Sequence, residues 1–144
     1  MNIKFLLFLL IAVAGNCSYH IGQKSLHTET ANPMFMLSVF YGLSMMLCIL
    51  AIPLFGKVEI SYAATLLSNW RVWLVSFGIM FIELGFLLAY QAGGSAQWGG
   101  VAVNGAAALL LIPLSIVLFH EHFSWSKVLG IVITLTGLYI LVRK

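Results

Sequence analysis

Glu83 is the residue on which chemistry in this chain would turn, because it is the single acid between Arg71 and His120 and apolar residues flank it on both sides (GIMFIELGFLLAY). An acidic side chain placed in hydrocarbon costs about 2.5–3.5 kcal/mol on translocon scales, so its retention calls for an offset. A carboxyl group held out of water can exchange its proton between a charged and a neutral form, which is the chemistry of proton coupling. The structural alternative is a glutamate fixed by neighbouring hydroxyls and amides with no part in transport.

Other polar residues fall at helical spacing. Asn16, His20 and Gln23 stand at i, i+4 and i+7, with Tyr19 beside them; Ser76, Glu83 and Tyr90 are spaced by seven, and so are Gln97 and Asn104. Residues seven apart share one helix face, so three segments each present a polar stripe. Taken singly, an amide or hydroxyl in lipid is interhelical glue more often than a ligand contact. Should the stripes converge, they line a pocket made of Glu83, His20, Tyr19, Asn16, Tyr90, Asn104 and Gln97, suited to a cationic, zwitterionic or hydroxylated solute. His20 adds to it a side chain of the type that titrates near physiological pH.

The elements that must carry these stripes follow from composition. Of 144 residues, 62% are hydrophobic and 8% charged, and mean hydropathy is +1.05. A soluble domain carries roughly a quarter charged residues, so this chain has too few to build a water-facing exterior. A membrane-spanning helix needs roughly 20 apolar residues, and the sequence supplies five such stretches. We expect an all-α membrane protein forming one transmembrane domain over residues 1–144, with spans at about 4–23, 33–55, 71–92, 98–119 and 124–142.

Several boundaries have local causes. Pro33 stands where a helix would start and Pro53 near its end, both tolerable positions for a residue without an amide donor. The mixed segment from Lys57 to Asn69 suits a loop with a short interfacial helix, and Trp70, Arg71 and Trp73 mark a water boundary. The uncharged run from Leu84 to His120 is too long for one crossing, and GGSAQWGG breaks it near Gly93 to Gln97, with Pro113 a kink position in the following span. The basic start at Lys4 and FLLFLLIAVAG also fit a cleaved signal peptide, but apolar character continues through Tyr19 and Ile21, which favours a retained helix.

Other function classes lack their residues. The seven basic residues, giving a net charge of +3, are scattered singly rather than gathered into a nucleic-acid patch. Cys17 and Cys48 lie in apolar segments and read as small hydrophobes rather than a disulfide. His120 and His122 flank Glu121, yet alternate helical residues point to different faces, so a polar helix end explains them better than a metal. With no nucleotide-binding glycine loop, no HExxH and no nucleophile paired with a base, we expect neither an enzyme nor a cofactor.

From Glu83 onward the run ELGFLLAYQAG, an Asn-bearing, Ala-rich helix with LLLIP, and the closing FHEHFSWSKVLGIVITLTGLYIL resemble one repeat of an EamA-type transporter of the drug/metabolite transporter superfamily. The closing stretch carries the more specific likeness: Glu121 at a helix end, then Gly130, then Gly137. The first segment fits more loosely, and residues 55–70 least. The resemblance implies a five-helix EamA-like repeat in a multi-pass protein of the cell membrane, as in a bacterial inner membrane, acting as a secondary transporter of small metabolites or drugs. Two departures stand out. Typical members fuse two such repeats, and the four-helix relatives carry a first-helix glutamate that is missing here, so their ion-coupling scheme does not carry over.

Secondary transporters alternate access by moving one repeat against another. A single five-helix unit has an odd number of spans, so an antiparallel homodimer would rebuild the two-repeat architecture. The basic residues permit this: Lys4, Lys57, Arg71 and Lys127 fall on one side and Lys24, Arg143 and Lys144 on the other, which sets no orientation. A heteromer and a parallel dimer stay open. Gly130 and Gly137 share a face of the last helix and would serve either a dimer seam or close packing within one protomer. The expected partners are therefore the lipid bilayer, a small organic solute and a second copy of the chain; a flippase, or an accessory subunit of a larger membrane assembly, is the alternative function.

Overall fold

A computed structural model describes residues 3–26, 30–120, 122 and 124–143. Among them the chain is helical without strands, in six helices: α1 (Ile3–Ser25), α2 (Pro33–Phe55), α3 (Ser61–Leu67), α4 (Trp70–Gln91), α5 (Ala96–Phe119) and α6 (Trp125–Val142). Helices α1, α2, α4 and α5 are each long and apolar enough to cross a membrane, whereas the described apolar part of α6, Trp125–Gly137, is shorter. The sixth helix relative to the expected five is α3, whose 7 residues extend about 10 Å and cannot span hydrocarbon. It is the short helix anticipated between Lys57 and Asn69.

The helix starts are written in local chemistry. Asn32 Oδ1 accepts from the Met34 and Phe35 amides at 3.0 and 3.1 Å, with Pro33 at the first helical position. Asn69 Oδ1 accepts from the Arg71 amide at 3.0 Å, and Ser95 Oγ from the Gln97 amide at 3.2 Å. Each cap satisfies a donor that the first turn leaves without an intrahelical partner. Gly93, at φ 86°, takes the left-handed turn that ends α4, and its amide donates to Tyr90 O at 3.0 Å. Where Trp70, Arg71 and Trp73 were expected at a boundary, the Arg71 guanidinium stacks on the Trp70 ring and the Trp73 indole donates to Leu67 O at 2.7 Å, tying α3 to the start of α4.

The chain divides into two compact units. One comprises Met1–Leu26 and Gly94–Lys144, the other His27–Gly93. In the first, α5 packs against α6 and α1 against α5. There Lys24 Nζ, in the last turn of α1, donates to Gly94 O at 2.8 Å. In the second, α2 and α4 pack around Met36, Leu37 and Leu87, with Phe40, Tyr41 and Leu84 at the edge, and Gln91 Nε2 donates to Ala31 O at 3.1 Å.

Burial in each unit is confined to part of the helices. In the second it takes in the start of α2 and the end of α4, while Leu54 and Phe55 at the far end of α2 are 82% and 90% exposed. Phe8 and Phe119 are likewise exposed in the first unit. Apolar surface this extensive has no stable place in water, and lipid is the solvent it matches.

Candidate functional site

The first unit holds a cleft of about 660 Å³ between α1, α5 and α6. Its floor is a consequence of sequence: from Gly99 to Ala108 (GGVAVNGAAA) α5 carries nothing bulkier than valine and asparagine, so the neighbouring helices meet it across open space. Asn16 and His20 of α1 and Gln97 and Asn104 of α5 line this cleft, with Thr134 reaching in from α6. Two of the three polar stripes read from the sequence therefore meet, and they meet where small residues leave room.

His20 is the best fixed of these groups. Its imidazole lies over the bare backbone of Gly100, where an added Cβ would stand 2.6 Å from Nε2. The Tyr19 ring meets it edge-on, with ring centroids 5.0 Å apart. Tyr19 itself is half-buried and, among the described residues, is not part of the cleft lining.

One turn further along α1 stands Gln23, 4% exposed. Neither its amide nitrogen nor its amide oxygen has a hydrogen-bond partner among the described residues. In a low-dielectric surrounding that is costly, because a buried polar group pays desolvation without a compensating bond. Gln23 continues the Asn16–His20 stripe but was left out of the expected pocket. Cys17, read from the sequence as a packed hydrophobe, is exposed and lines the cleft. Gly100 and Thr134 were missed as well; the Gly-rich composition after Gln97 was the available signal for the first, and no sequence signal marks the second.

The third stripe belongs to the second unit. Glu83 is half-buried on α4, and the Tyr41 hydroxyl of α2 is buried without a hydrogen-bond partner among the described residues. Tyr90 is 8% exposed and stacks on Phe86 at 6.2 Å between centroids. Ser76 is exposed, and its hydroxyl donates to Val72 O at 2.9 Å within its own helix. Among the described residues the cleft lining comes from α1, α5 and α6.

The remaining expectations concern the chain's later part. Glu121 lies outside the described residues; His120 closes α5 in the left-handed conformation, at φ 53°, and its amide donates to Ser115 O. His122 borders a void of about 30 Å³ with Ser115 and Lys127, and the described residues hold no group of three metal-ligating side chains. Among the described residues Gly130 and Gly137 have nothing within 4 Å of where a Cβ would stand.

Comparison of the chain with protein-family models, with curated proteins and with solved structures returns no significant match.

Proposed function

We propose that this chain is a small secondary transporter of the EamA type, resident in the cell membrane, that moves a small organic solute as a homodimer. The observation that carries this reading is the meeting of Asn16, His20, Gln97 and Asn104 around one cleft in helices that are otherwise apolar. Side-chain amides on two facing helices are expensive in lipid and are accounted for when they serve a passing solute. In this reading α6 is the fifth span: its 18 residues extend about 27 Å, close to the hydrocarbon thickness. α3 lies at the interface and leaves the count odd.

Proton coupling is assigned to Glu83, the one acid within the long apolar helices. The Gly130–Gly137 face of α6 is assigned to the dimer seam, since small residues let backbones approach closely in lipid and both glycines are open. An antiparallel pair supplies the second, inverted repeat that alternating access requires.

The test is flux through the purified protein in sealed vesicles with an imposed pH gradient, screened against metabolites and organic cations. Solute-dependent collapse of the gradient, lost in Glu83→Gln, is the expected result. Full activity with unchanged pH dependence in that variant removes Glu83 from the mechanism. An accessory subunit would be silent without its partner, and a flippase would move labelled lipid while ignoring every soluble solute; either outcome overturns the proposal.

A further inference from the structure

We infer that the cleft between α1, α5 and α6 takes an uncharged solute, an apolar ring system bearing an amide or similar paired donor and acceptor, in place of the cation or zwitterion that an intramembrane glutamate first suggests. The inference rests on the reading of this cleft as a solute site and narrows its chemistry.

The lining sets the class. Among the described residues its polar groups are the amides of Asn16, Gln97 and Asn104, the hydroxyl of Thr134, the His20 imidazole and the Cys17 thiol, with no Asp, Glu, Lys or Arg. Amides both donate and accept, so they match a ligand that does the same. A cation would find no carboxylate among the described lining residues. An anion would find no guanidinium or ammonium in the lining, and an unpaired charge out of water is far costlier than an unpaired amide. The remaining lining is aliphatic or small, Ile21, Val101 and Ala108 among it, and the volume lies within the ordinary range for a pocket that encloses a drug-sized molecule. Gly100 and His20 are both part of the lining, with the imidazole lying over the Gly100 backbone.

Cys17, in the lining, reports occupancy without any prior substrate. In the full-length protein carrying Cys48→Ser, alkylation of Cys17 by N-ethylmaleimide is followed in lipid nanodiscs with three near-isosteric probes: 2-naphthamide, its amidinium and its carboxylate. The amide is expected to slow alkylation at the lowest concentration. The charged isosteres should need about a hundredfold more, the ratio equivalent to leaving a charge unpaired at the translocon-scale cost. Asn104→Leu and, separately, Gln97→Met should each weaken protection by the amide about tenfold relative to that variant's own unprotected rate, the loss of one hydrogen-bonding side chain. Protection that survives both substitutions is partition into lipid and overturns the inference. Stronger protection by the amidinium or the carboxylate overturns it too, while leaving transport standing. Amide protection in a protein that moves no solute across vesicles upholds the ligand class and removes transport.

Discussion

A Cβ placed on Gly100 would stand 2.6 Å from His20 Nε2, whereas one on Gly99 meets nothing within 4 Å. Gly100→Ala should therefore cost about 1–3 kcal/mol as the imidazole is displaced, the usual magnitude of overpacking. Gly99→Ala should be neutral or gain up to about 1 kcal/mol from helix propensity. Denaturant unfolding in micelles separates the two, and equal behaviour would mean that His20 is not seated on the α5 backbone. Gln23 makes the opposite prediction. Its buried amide lacks partners among the described residues, so Gln23→Leu should raise stability by about 1–3 kcal/mol while lowering solute flux. A variant that is both more stable and fully active would show the amide to be unused. The polar residues of α1 and α5 were legible because their spacing of three, four and seven is a helical property visible in one dimension. Which stripes meet is a property of packing, and Glu83 shows the limit: its depth in an apolar run was readable, its company was not.

At the scale of the elements, the helix boundaries were written in short-range chemistry and could be read. Asn32 before Pro33, Asn69 before the Trp70–Trp73 anchors, and Ser95 after the glycine turn each cap a helix through their own side chain. Asn32→Ala should cost about 1 kcal/mol of stability, the typical worth of an N-cap, measurable in the same unfolding assay. Asn32→Asp should restore most of it. The role of the two glycines in α6 could not be read, since a spacing of seven serves packing within a protomer and between protomers alike. With the space beside both open in the structure, Gly130→Leu and Gly137→Leu should leave the monomer's fold intact and weaken dimerisation about tenfold or more each, or about 1.4 kcal/mol. Crosslinking or light scattering in detergent reads this directly. A dimer of unchanged affinity would move the seam to another helix.

For the whole molecule, the apolar composition decided the solvent, and the long exposed helices agree with it. The division into two units was not legible, because it depends on α1 passing over its neighbours in sequence to join α5 and α6. The near balance of basic residues predicts that a tag after Lys144 is accessible from both sides of the membrane in a population of molecules. Labelling from one side alone would rule out the antiparallel dimer. The discontinuous unit also imposes an order on biosynthesis. The stretch from His27 to Gly93 can close on itself as soon as it has left the ribosome, but α1 emerges first and finds its helical neighbour only after that whole stretch has been made. Until then its asparagine, histidine and glutamine must be sheltered by water, by the insertion machinery or by another chain. A nascent chain stalled after Gly93 should accordingly already hold the α2–α4 packing around Met36, Leu37 and Leu87.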